Sequence, residues 1–120
     1  MIYHVVPLAD WGAAPDSAYT PASLADEGFI HCSPDVATTL AVADAFYRDA
    51  PRPLLALQID ESRLTSRCLF EAAAPTPPPG VSADTLFPHI YGPLNRDAVT
   101  GILQLEWDAA GHPTGLTQRG

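Results

Sequence analysis

Proline limits the length of many of the elements this chain can form. Thirteen of its 120 residues are proline. Each one fixes φ near −65° and removes a backbone donor, so the apolar run Ile2 to Val6 closes at Pro7 and the run from Leu54 begins only after Pro53. No apolar run approaches the roughly 18 residues needed to span a bilayer. The longest helix is expected between Pro34 and Pro51, and the rest reads as short strands and turns. A chain of this length has room for one hydrophobic core; a single domain is expected over residues 1–108, with 109–120 as a polar, glycine-containing, flexible C-terminal tail.

Ile2 to Val6 reads as a buried first strand closed by Pro7, followed by a short segment to Ala14 in which Trp11 packs inward. A short helix is expected at Thr20 to Ala25, with Thr20 as cap and Pro21 in the first helical position. Phe29 to Cys32 reads as a second strand, and Ser33-Pro34-Asp35 repeats the cap-plus-proline start, with Ser33 as cap. Val36, Leu40, Ala43 and Tyr47 then recur at helical spacing to about Asp49. Leu54 to Asp60 is nearly all apolar, as in a central strand covered on both faces. Ser66 to Ala72 alternates, Arg67, Leu69 and Glu71 sharing one face and Cys68 and Phe70 the other. A proline-rich loop or lid runs from Ala72 to Ala83. His89 to Tyr91 is a short strand, and Ala98 to Trp107 is the last, with an irregularity at Gly101. Regular βαβ alternation is absent, so the fold class is α+β, a small split mixed or antiparallel sheet with two or three helices.

All six basic residues are arginine, against fourteen carboxylates, for a net charge of −8. The absence of lysine excludes Schiff-base and phosphate-loop lysine chemistry. The negative surface disfavours nucleic acid, whose non-specific binding rests on Lys and Arg neutralising phosphates. No membrane segment is expected, and a small-molecule ligand is the expected partner; oligomeric state leaves no signal. Cys32 and Cys68 form no CxxC pair, and the N-terminus lacks a signal-peptide pattern, so both read as free thiols in a cytoplasmic protein.

Histidine carries the functional signal. His4, His31 and His89 each lie within an apolar or aromatic run, Ile2-Tyr3-His4-Val5-Val6, Gly28-Phe29-Ile30-His31-Cys32-Ser33 and Phe87-Pro88-His89-Ile90-Tyr91-Gly92. A chain building only a core would place aliphatic residues there, so the three imidazoles point to a polar pocket. His112, in a turn, reads as solvated. Three histidines could hold a zinc ion, but no HxH or HExxH spacing supports that, and no metal is expected. Cys32 follows His31 directly and so points to the opposite strand face, away from proton transfer. Glu71 either orients a histidine or stabilises a developing cation, or is a surface residue of an edge strand. Glu27 could face the site, but the sequence favours solvent. Tyr3, Tyr19 and Tyr91 offer rings for stacking a flat ligand, or for packing a core.

These motifs, with Tyr19 and Ser23-Leu24 ahead of Glu27-Gly28-Phe29-Ile30-His31-Cys32-Ser33 and with Phe70-Glu71 before Phe87-Pro88-His89-Ile90-Tyr91-Gly92-Pro93-Leu94, resemble domain of unknown function 952 (DUF 952), a bacterial family. The resemblance runs from residue 2 to about 107. It implies an ADP-ribosyltransferase-like fold, a sheet cleft for nicotinamide and its ribose, and NAD as substrate. It further implies that His4 bonds the nicotinamide-side ribose, that His31 and Ser33 line the cleft, and that Glu71 or His89 fills the third catalytic position; Tyr19 and Tyr91 are candidate ligand-binding rings by residue type. The His-Tyr-Glu and Arg-Ser-Glu triads of better-known ADP-ribosylating enzymes are not evident. Three readings compete: an NAD- or ADP-ribose-handling transferase or glycohydrolase, a non-catalytic module binding a nucleotide-like metabolite, and a three-histidine metal-dependent hydrolase.

Overall fold

The computed structural model describes residues 1–73 and 76–119. Seven strands and three helices follow one another as β1 (Ile2–Pro7), α1 (Leu8–Gly12), α2 (Ala22–Glu27), β2 (Ile30–His31), α3 (Val36–Phe46), β3 (Leu54–Ile59), β4 (Arg67–Ala72), β5 (Leu86–Tyr91), β6 (Val99–Trp107) and β7 (Pro113–Gln118). The strands form two antiparallel sheets, ordered β1-β3-β6-β7 and β2-β5-β4. The chain is thus α+β, and its sheets are antiparallel throughout, not mixed. A two-bond seam joins them: the Tyr3 amide donates to the Ser33 carbonyl at 2.9 Å and the Ser33 amide to the Tyr3 carbonyl at 2.7 Å.

β3 explains the rest of the packing. Leu54, Leu55, Ala56, Leu57 and Ile59 are all fully buried, and the pleat sends alternate residues to opposite faces. Leu55, Leu57 and Ile59 join Ile2, Val6, Ile30 and Ile90 in one core beneath the smaller sheet. Leu54 and Ala56 join Val5, Ala43 and Leu105 in a second core beneath α3. At the expected Gly101 irregularity the register shifts: Gln58 faces Gly101 but Ile59 faces Val99, so Thr100 bulges.

Three local expectations change. Asp35, not Ser33, caps α3, its carboxylate accepting from the Thr38 amide at 2.7 Å, because Ser33 is engaged in the seam. Pro21, not Thr20, precedes α2, and no side chain caps it. The tail is not frayed: β7 pairs with β6 from Trp107 opposite Pro113 to Leu103 opposite Gln118. Its connection is fastened from within by Asp108, which accepts from the Ala110 and His112 amides, each at 2.9 Å. It is fastened from outside by α3, where His112 donates to Asp44 at 2.8 Å and Arg48 donates to the Ala110 and Gly111 carbonyls at 3.0 and 3.1 Å.

The proline-rich connection follows β4, as expected, although Ala74 and Pro75 within it lie outside the described residues. Among the described residues no helix is long and apolar enough to cross a membrane.

Candidate functional site

Between the two sheets, with α3 as a third wall, lies a cavity of about 420 Å³. Tyr3 and Val5 of β1 form one side, Val42, Phe46 and Tyr47 another, and Glu27, Phe29, His31, Cys32, Ser33, Phe87 and His89 the third; Ala73, Thr76 and Pro78 close it beyond β4. Pleat alternation decides which residues reach it. In β2 and β5, Ile30 and Ile90 turn into the core, so their neighbours His31 and His89 turn the other way, into the cavity.

His31 and His89 are direct cross-strand partners, their rings 5.6 Å apart and nearly edge-on at 76°. Each is held by its own carboxylate. His31 donates from Nε2–H to Glu27 in a short hydrogen bond, and His89 donates from Nδ1–H to Glu71 at 2.9 Å. A carboxylate only accepts, so in the neutral rings these nitrogens carry the protons, leaving Nδ1 of His31 and Nε2 of His89 as bases without a partner among the described residues. The two environments also differ: the His89 side chain is 9% exposed and that of His31 49%. Phe29 stacks on His89 with centroids 4.0 Å apart and fixes its plane.

Glu71 also accepts a short hydrogen bond from the Tyr91 hydroxyl. The bonds from Tyr91 and His89 hold the Glu71 carboxyl below its usual range, with the charges of His89 and Arg67 adding, and the same contact with Glu71 raises the Tyr91 phenol. Glu71 therefore stays ionised and orients an imidazole at the cavity wall. Cys32 lines the cavity too, but burial pushes its thiol well above the usual value, so it remains protonated.

His4 and Tyr19 are not brought into this group. Tyr3 and Val5 face the cavity, so His4 between them faces the core, where its ring packs 5.7 Å from that of Tyr19. His4 donates from Nδ1–H to the His31 carbonyl at 2.6 Å. Burial outweighs that bond and lowers its pKa to about 4, so the ring is neutral and supports the backbone beneath His31. Tyr19 pairs through its backbone with Leu94 and packs edge-on against Trp11. Three converging imidazoles are therefore not assembled; among the described residues no group of three or more His, Cys, Asp or Glu is placed to hold a metal ion. Ser33 does line the cavity, and Tyr91 stands behind Glu71. His112 lies away from the cavity, on Asp44.

Glu27, which the sequence favours as solvent-facing, is 51% exposed and also lines the cavity beside His31. Its signal was the four-residue spacing to His31, the separation at which side chains meet on one helical face; here α2 ends at Gly28, whose left-handed φ of 86° turns the chain so that the pair still meets. Phe29, Phe46 and Phe87 were not singled out for the cavity either. Phe46 is in fact 68% exposed at the cavity.

A family model described as "Protein of unknown function (DUF952)" matches residues 5–102. Three solved structures of protein CC0527 from Caulobacter crescentus share the fold. The X-ray structure of a double mutant superposes with a TM-score of 0.75 at 27% identity, covering 94% of this chain and 92% of that one. A second X-ray structure gives 0.73 at 29% identity over the same shares. The solution NMR structure gives 0.65 at 27%, covering 94% and 90%. No curated protein matches the sequence.

Proposed function

The chain belongs to the DUF952 family, and from that footing we propose that the cavity is the active site of an NAD- or ADP-ribose-handling enzyme in which His31 or His89 acts as the general base. The carrying observation is the pair itself: two imidazoles with centroids 5.6 Å apart, each backed by a carboxylate and offering opposite ring nitrogens. The free nitrogen of either ring can take the proton of the attacking water or hydroxyl, and the carboxylate behind that ring steadies the imidazolium that forms.

For NAD the chemistry runs as follows. The bond from the ribose to nicotinamide breaks, its electron pair leaving with nicotinamide, and positive charge builds on the ribose. Glu27 and Glu71 supply negative charge beside it. Water, or an acceptor hydroxyl, bonds to the ribose carbon and gives its proton to the free nitrogen of His89 or His31. The lining favours the nicotinamide-ribose half of the molecule: it is rich in aromatic rings and contains no arginine, and its volume lies in the range of small-ligand sites. The likeness to ADP-ribosyltransferases implied by the sequence motifs is part of this reading. Two free cysteines support a reducing, cytoplasmic setting, and the net charge of −8 favours a small ligand over nucleic acid.

The test is calorimetric and thermal-shift titration with NAD, ADP-ribose and nicotinamide, followed by chromatographic assay for released nicotinamide. A true ligand raises stability by roughly 2.7 kcal/mol at a hundredfold excess over its dissociation constant. His89→Ala is expected to cut turnover by about 10²–10⁴ while binding persists. Binding without release in the wild type would make the cavity a metabolite-binding module. No shift with any of the three compounds would sink the reading.

A further inference from the structure

Every arginine but one has a partner. Arg48 donates to Ala110 and Gly111, Arg52 lies 3.4 Å over the Trp107 ring, Arg63 pairs with Asp60 at 3.6 Å, and Arg119 bonds Gln104. Arg96 donates to the carbonyls of Trp11, Ala14 and Ser17 at 3.0, 2.9 and 2.7 Å. Arg67 is exposed and has neither ion pair nor hydrogen bond among the described residues.

Its position is what makes this informative. Arg67 opens β4 directly opposite Tyr91, and Leu69, two residues on, faces His89. Arg67, Leu69 and Glu71 share the histidine-bearing face of the sheet, and two residues of strand span about 7 Å, so a long guanidinium side chain starting there reaches the edge of the histidine pair. The charge of Arg67 is felt at both Glu71 and Tyr91. In a molecule of net charge −8, whose cavity wall includes a carboxylate and no arginine, a ligand's anionic group has one open cation next to the site.

We propose that Arg67 is the phosphate anchor of this site: the ring and ribose of the ligand enter the cavity, and a 5′-phosphate stays at the rim on the Arg67 guanidinium. This rests on the reading of the cavity as a nucleotide-handling site and narrows its substrate class to phosphorylated nucleosides, mononucleotide or dinucleotide. The guanidinium donates to the phosphate oxygens through two parallel N–H groups, a geometry lysine does not reproduce.

The probes are nicotinamide riboside and nicotinamide mononucleotide, titrated calorimetrically into the full chain as wild type, Arg67→Ala and Arg67→Lys. The wild type is expected to bind the mononucleotide roughly tenfold more tightly than the riboside. Arg67→Ala brings the ratio to about one with riboside affinity unchanged, and Arg67→Lys restores it in part. An unchanged ratio in Arg67→Ala overturns the anchor while leaving the cavity reading intact. Failure of both probes to bind the wild type overturns the cavity reading and the anchor with it. Because the Arg67 side chain is exposed and makes no ion pair or hydrogen bond among the described residues, the variants are expected to melt with the wild type, which separates loss of an anchor from loss of fold.

Discussion

His4 and His31 lie in similar apolar runs, yet one is a core residue and the other a cavity residue. The difference is pleat parity: Ile2 and Val6 share the core with His4, whereas Ile30 takes the core position beside His31. The neutral His4 has a measurable consequence. Its pKa is lowered from 6.5 to about 4 in the folded chain, so between those values the unfolded chain binds a proton that the folded chain does not. Its contribution is complete above pH 6.5 and is lost as pH falls toward 4, about 3 kcal/mol in all. Urea denaturation of wild type and His4→Asn, which retains a donor near Nδ1, is expected to show a stability gap that is constant above pH 6.5 and closes by about that amount by pH 4. A gap independent of pH would contradict a neutral buried His4.

At the scale of elements, the apolar run of β3 and the helical spacing of α3 were legible because burial imposes them directly on the sequence. The ends of α3 were less so: Asp35 and Ser33 are equally good caps by residue type, and only the seam at Ser33 decides between them. Val36, read as part of the buried stripe, is 40% exposed. β7 was invisible for a different reason. It is an edge strand with polar and glycine residues, its partly buried Leu116 the contact with the core under α3, and its fastening depends on Arg48 and Asp44 more than sixty residues earlier. Deleting residues 109–120 is therefore expected to destabilise the chain, and Leu116→Ala alone to cost about 1–2 kcal/mol. Denaturation midpoints unchanged by both would restore the reading of a dispensable tail.

For the molecule as a whole, the sequence motifs pick out part of the cavity lining but not all of it. His31, Ser33 and His89 line one cavity, and Glu71 joins them through His89, because these residues sit at strand positions whose register is set by the buried Ile30 and Ile90. Glu27 and the aromatic wall depend on how α2 and α3 dock, which no short motif records. The two hydrogen bonds between Tyr3 and Ser33 give this arrangement a property of its own. They are the book's spine: the larger sheet is one cover, the smaller sheet the other, and the cavity is the space between opened pages. A ligand that grips both covers restrains their swing. Amide hydrogen exchange at Tyr3 and Ser33 is thus expected to slow on ligand binding, and to slow more than exchange within β3, whose amides are already shielded by cores on both faces. Equal slowing throughout the chain would mean that the ligand stabilises the fold globally and leaves the spine no looser than the pages.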